Sequence, residues 1–382
     1  MAAGAVAVAV IRLLLLILWM PLVQAAVLPQ DRADLMYHSY QGGGVSIDGP
    51  ALMLRTKASE AVSLSAFYYV DTVSGASIDV QATASAYTEK RTEARLGVDY
   101  LAGNSILSLN YVQSDENDYN AKAVSFGIAH DTFGGMTTLS MEAGMADDDV
   151  GRNGDDSFSE TVRRYNYKLG LTQVITKAWI AALNLQVDLD EGFLNNPYRS
   201  VRYLDANDPR GYGWQAEIYP DTRNTLALSL VNKWYLPYRA ALTFNLRHYQ
   251  DSWDIRALDA TLDYVHPLTD RWVFDAKLRW YSQGQAEFYR DIFDFASQQN
   301  FMARDKELSE FDNLTLGVGV SYRLSSWAFW PAAKPELNMQ WDHIRFQYKN
   351  FRNVTATGFD AGTEPFYRLD ANVVRAFFSL YF

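Results

Sequence analysis

The side chains in this 382-residue sequence whose spacing comes closest to a known chemistry lie in an acidic stretch, Asp147 to Asp156, followed by Glu160. With Asp149 at position 1 of a calcium-binding loop, Asn153 falls at 5, Gly154 at 6 and Glu160 at 12. Asp155 adds a further carboxylate. Carboxylate and amide oxygens at such offsets are hard ligands suited to Ca²⁺. Position 3 is Gly151, however, and the flanks read as strands rather than helices, so the loop departs from an EF-hand. The alternatives are a solvated acidic loop, or one bridged to lipopolysaccharide through divalent cations.

A second set of charges is dispersed. Arg95, Asp99, Glu142, Arg164, Lys168, Asp188, Lys233, Arg239, Arg247, Asp259, Asp263, Asp275, Lys277, Arg279, Arg323, Asp342 and Arg375 occupy alternate positions opposite apolar residues. If these segments are strands, all of the charges fall on one face of a sheet. Charges of both signs on such a face have two uses. They line a water-filled pore and orient solutes, or they pair across the lumen and stiffen a plugged barrel.

Catalytic chemistry has less to work with. His38, His130, His248, His266 and His343 are the only histidines, and HExxH, P-loop and GxSxG motifs are missing. There is no cysteine, which excludes disulfides, thiol catalysis and thiolate metal sites. The chain therefore reads as a non-enzyme without a cofactor, Ca²⁺ aside; a hydrolase with a site dispersed over strands is the third-ranked alternative.

The elements that must position these groups are strands. Trp179, Ala181, Leu183, Leu185, Val187 and Leu189 alternate with Ile180, Ala182, Asn184, Gln186, Asp188 and Asp190. Trp272, Phe274, Ala276, Leu278 and Trp280 alternate with Val273, Asp275, Lys277, Arg279 and Tyr281. Aromatics at the ends of an apolar face with aliphatics between them suit a lipid-facing band between two interfaces. Fifteen such strands are expected near 46–57, 61–71, 92–101, 105–114, 121–131, 136–146, 161–174, 178–190, 223–235, 239–249, 255–266, 271–284, 312–324, 334–349 and 369–382. Both ends of a bacterial barrel face the periplasm, so the number must be even. Leu35 to Tyr40, followed by Gly42-Gly43-Gly44, supplies a sixteenth. Fourteen is the alternative count. A soluble β-sandwich fits less well, because closure alone removes every sheet edge.

The connections sort into tight turns and long polar loops that alternate, as short periplasmic turns and long extracellular loops do. Two of the long loops, Glu191–Thr222 and Gln285–Phe311, are candidates to plug the lumen. In the first, Tyr198, Arg199, Arg202, Tyr203, Arg210 and Tyr212 would offer aromatic and guanidinium surfaces; in the second, Phe301 to Leu308 would form a short helix.

The ends of the chain carry addresses. Arg12, the apolar run Leu13 to Leu22 and the small-residue site Val23-Gln24-Ala25 form an export signal, giving residues 1–25 as a cleaved signal peptide and 26–382 as one barrel domain. At the other end Phe378, Leu380 and Phe382 share one face of a terminal strand, the pattern read by the barrel-insertion machinery. Twenty-four Tyr, 20 Phe and 10 Trp are enough for interface girdles. A net charge of −11 argues against nucleic acid as a partner. The expected surroundings are outer-membrane lipid and lipopolysaccharide, reached by Sec-type export.

Several segments are similar to a known family: Leu28-Pro29-Gln30-Asp31-Arg32-Ala33-Asp34 with Gly42-Gly43-Gly44-Val45, Tyr69-Val70-Asp71-Thr72-Val73-Ser74, Asp149 to Gly154, Gly192 to Arg199, and Ala303 to Leu308. Together they resemble an uncharacterised family of Gram-negative outer-membrane β-barrel proteins, a domain-of-unknown-function family. The resemblance implies an outer-membrane location but carries over no reaction and no site residues. It also implies a partnered role, because such proteins tend to accompany exported redox or flavin-attachment proteins. The leading expectation is a sixteen-strand pore or transport component with a charged, loop-constricted lumen; the second is a non-conducting scaffold or receptor for a periplasmic or surface partner.

Overall fold

The computed structural model describes residues 26–75, 87–327 and 329–382; the expected signal peptide, 1–25, lies outside them. Eighteen strands are present among these residues. The first nine are β1 (Arg32–Gly42), β2 (Val45–Ser59), β3 (Val62–Gly75), β4 (Tyr87–Ala102), β5 (Ser105–Asp115), β6 (Tyr119–Thr132), β7 (Thr137–Val150), β8 (Glu160–Thr176) and β9 (Trp179–Gly192). A short hairpin, β10 (Ser200–Leu204) and β11 (Tyr212–Ala216), stands apart from the main sheet. The rest are β12 (Thr222–Tyr235), β13 (Ala241–Asp251), β14 (Arg256–Pro267), β15 (Trp272–Gln283), β16 (Phe311–Arg323), β17 (Lys334–Arg352) and β18 (Phe366–Tyr381).

Sixteen of them form one closed antiparallel barrel. Each strand pairs with its neighbour in sequence, β9 pairs with β12 across the hairpin, and β18 returns to β1. The weak candidate Leu35–Tyr40 is the core of β1, and it carries the closing seam from Arg32↔Tyr381 to Gly42↔Ala371. Closure matters because an open edge would leave backbone N–H and C=O groups unpaired in hydrocarbon.

Alternation sets the two faces. Leu52, Leu96, Leu109, Val318 and Met339 project outward and are each more than half exposed. An apolar belt of this extent is costly in water and matches a lipid surface. Inside, space is made where large polar groups crowd. A Cβ on Gly317 would lie 2.2 Å from the Asp342 carboxylate of β17, so only glycine lets that acid reach over β16 to Lys277 on β15, at 3.7 Å.

One rim holds the start of β1, the end of β18 and the turns 60–61, 103–104, 133–136, 177–178, 236–240, 268–271 and, between β16 and β17, 324–327 and 329–333. There Phe382 N donates to the Asp31 carbonyl, Trp327 stacks on Phe378, and Trp330 packs at a tilt against Phe382. The opposite rim carries the long loops. Two local expectations are corrected there. The segment 191–222 contains the β10–β11 hairpin instead of turns alone. The expected helix over Phe301–Leu308 shrinks to one 3₁₀ turn, Lys306–Leu308, capped by the Asp305 side chain. Met302 and Ala303 are extended instead, bridging to Ile218 and Tyr289.

Gly49 tests the close packing of the wall. A Cβ there would lie 1.8 Å from the Val70 carbonyl oxygen of β3, whereas one at Gly284 would meet nothing nearer than 3.9 Å. Gly49→Val should lower the unfolding free energy of the refolded barrel by roughly 1–3 kcal/mol, read by urea unfolding in lipid, while Gly284→Ala should stay within about 0.5 kcal/mol of the parent.

Candidate functional site: a half-plugged barrel mouth

The three longest described loops, 193–221, 284–310 and 353–365, fold together over the half of the barrel built from β12 to β18. Tyr219, Trp253, Phe288, Tyr289, Phe311, Tyr348 and Phe351 form one buried aromatic core there, with Tyr249, Tyr281 and Phe346 of the wall packed against it. A polar clamp fixes the loops to one another. Arg202 of β10, with no exposed side-chain surface, holds Glu364 at 2.5 and 3.1 Å and Asp291 at 2.5 Å. Arg304 reaches the other Asp291 oxygen at 3.0 Å and lies over the Phe351 ring. The Gly362 and Arg352 N–H groups donate to Glu364 and Asp291. Burial by itself would raise both carboxyls, but Arg304 and Arg202 outweigh it at Asp291, and Arg202 does so at Glu364, so both stay below the usual carboxylate range.

Segment 193–199 runs from this plug towards the opposite wall. Asn195 bonds the backbone of Glu217 and Tyr219, and Arg199 pairs with Asp305. Tyr198 reaches the far side, where its hydroxyl donates to Asp118 and accepts from the Asn153 N–H. Burial, then Asp118, push the Tyr198 phenol up to about 12, so it remains a donor.

Beneath the segment, on the β4–β12 side, lies a cavity of about 800 Å³. Arg164, Asp190 and Arg223 line it, and the same three residues line a second cavity of about 480 Å³ bounded by Glu142, Asn166, Asp188 and Thr225. Arg164 bonds Asp148 and Tyr119. Arg223 bonds Asp251 and lies 4.4 Å from the Trp253 ring centre. The two cavities thus share a patch of mixed charge on the neighbouring strands β8, β9 and β12.

The dispersed charges fall on the face opposite the exposed apolar belt, as cross-strand register requires. Most are paired. Asp99 meets Arg55 at 2.9 Å, Glu142 meets Lys168 at 2.8 Å and Arg323 meets Glu336 at 3.3 Å. Arg95 pairs with Glu93, Arg279 with Asp259, and Arg375 with Asp342. Asp188 accepts from Asn166 and Gln186, and Arg247 lies over Tyr249. Asp263 stands opposite Lys277, Asp275 opposite Val265, and Lys233 opposite Thr243. Arg239 is different. It sits in a rim turn at φ 68°, bonded to Asp270, because β13 begins two residues later than the pattern suggested.

The four candidate calcium ligands are spread over the rim: Asp149 near the end of β7, Glu160 opening β8, and Asn153 and Asp155 in the loop between them. Asp155 is turned onto Ser157. No group of three or more His, Asp or Glu side chains that could hold a metal is found among the described residues. For a hydrolase, Ser105 Oγ stands 2.8 Å from His130 Nδ1. Among the described residues no carboxylate bonds that imidazole.

Residues 79–334 match the family described as "Protein of unknown function (DUF3570)". The chain belongs to that family. No curated protein matches its sequence. Among solved structures, a bacterial polysaccharide outer membrane secretin is 9% identical, with 92% of this chain and 98% of that one covered, at a TM-score of 0.49. OpdK of Pseudomonas aeruginosa, solved with vanillate, is 10% identical over 92% and 98% of the two chains, at 0.45. The siderophore receptor PirA of the same organism is 11% identical over 86% of this chain, at 0.42. This chain spans 60% of PirA's length. Each of the three is a likeness in barrel form alone.

Sequence reasoning missed the clamp. Arg202 read as one of several guanidinium surfaces in a loop that could plug the lumen, and its partner Glu364 lies 162 residues away; neither has a local signal for the pairing. Removing one partner of a buried ion pair typically costs roughly 3–5 kcal/mol. Arg202→Leu should therefore open loops 193–221 and 353–365 to limited proteolysis while the barrel keeps its gel mobility in unheated detergent. Acid should do the same. The depressed native values of Asp291 and Glu364 mean their contribution is complete above the ordinary carboxylate range and lost as pH falls through the native values. Hydrogen exchange of the loops below about pH 4 checks this.

Proposed function

We propose that this DUF3570 protein is an outer-membrane pore or transport component, exported by a cleaved signal peptide, whose lumen is constricted by its own loops. The observation that supports the reading is the pair of cavities that share the charged residues Arg164, Asp190 and Arg223. They follow the wall on the side that the described loops leave unfilled. A sixteen-strand barrel is wide enough for an aqueous path even with half of its mouth occupied. Rings of charge at such a constriction set which ions pass.

The refolded protein in planar bilayers should give discrete conductance steps. Replacing both Arg164 and Arg223 by Gln should shift the permeability ratio towards cations, by about two- to tenfold at moderate salt. Reversal potentials across a salt gradient measure the shift. A well-folded barrel that shows no steps over a wide voltage range would sink the pore reading.

A further inference from the structure

The larger cavity has two flanks of opposite character. On the side of β4 and the β5–β6 connection stand Glu89, Glu116 and Asp118. On the side of β8 and β12 stand Arg164 and Arg223. The acidic flank is under-compensated: the cation closest to Glu116 is Arg91, at 3.6 Å, itself bonded to Glu93 at 2.7 Å. Burial raises the Glu116 carboxyl above its ordinary range; Arg91 opposes this and Asp118 adds to it. On the basic flank, Arg223 presents Nε and Nη2 to a single Asp251 oxygen, and among the described residues its other guanidinium edge has no bonded partner. The Trp253 indole covers one face of the guanidinium and shields that face from water. A planar guanidinium with one free edge is a natural seat for a carboxylate.

We propose that this cavity binds zwitterionic solutes of amino-acid size, the ammonium end towards Glu116 and Asp118 and the carboxylate end towards Arg223 and Arg164. The inference rests on the transport reading and names its substrate class. The volume, about 800 Å³, lies in the range typical of small-molecule sites. Asp190 and Asp251 partly neutralise the arginines, so a lone anion gains less there than a dipole that also satisfies the acidic flank. The segment through Tyr198 roofs the space, limiting the length of what enters.

Three probes of one shape separate the terms: glutamine, its α-amide and its N-acetyl derivative. At about pH 6 these are zwitterion, cation and anion, since an α-amino group titrates well above that. Blockade of the bilayer current should need about fivefold less glutamine than either analogue, the effect of adding one further charge-assisted contact. The pair Glu116→Gln with Asp118→Asn should remove the advantage of glutamine over the N-acetyl compound. Arg223→Gln should remove its advantage over the amide. Equal blockade by all three, with conductance intact, overturns the proposal and spares the pore. Titration calorimetry of the same probes on the detergent-solubilised barrel keeps the question open to an answer if no current flows. Binding that prefers glutamine would then uphold the site without the pore, and indifference among the probes would overturn it.

Discussion

Closure of the hydrogen-bond ladder between β1 and β18 is the constraint on which the remaining structure depends. A sheet of sixteen strands with a lipid-facing exterior has no other way to satisfy its last edge. Once that ladder is shut in register, the parity of every side chain around the wall is fixed. Leu35 and Phe378 must face outward because Met36 and Phe377 face inward, and one residue of slip would exchange them. The aromatic residues Trp327 and Trp330 then cover the outward face of the last strand at the terminal rim.

Given closure, the interior becomes a crowded polar surface whose charges satisfy one another along the wall. Asp342 illustrates this: it takes Arg375 from β18 and Lys277 from β15, reaching the latter only because Gly317 stands between them. Such pairing stiffens the wall and makes individual charges poor markers of a solute path. The space left in front of side chains lies instead at Arg164, Asp190 and Arg223, which line both cavities.

The loops divide the mouth unevenly. On the β12–β18 side they bury aromatics and the Arg202–Asp291–Glu364 clamp, as a domain core would. On the β4–β12 side they stop short, touching down through Tyr198 on Asp118. The asymmetry leaves the cavities on one side of a wide barrel. Among the described connections, the long ones before β12, β16 and β18 supply most of the plug, the short one between β13 and β14 adds Trp253 to its core, and the one between β5 and β6 adds none of that core.

Period-2 alternation determined the strands, because burial on one face and lipid on the other act on each residue locally. The parity of the count followed from where the two ends must lie. Thus Leu35–Tyr40 could be recognised as a strand, and Asp342 and Arg375 as inward-facing, from spacing alone. Arg239 could not be placed, since a positive φ at a turn leaves no trace in alternation. Arg202, Asp291, Arg304 and Glu364 were beyond reach for a different reason. Their roles come from contacts between loops far apart in the chain, and a charged residue among prolines and glycines carries no sign of what will bury it. Sequence determined the wall; only the tertiary structure decided which half of the mouth the loops would fill, because that choice depends on long-range packing between segments with no periodic pattern of their own.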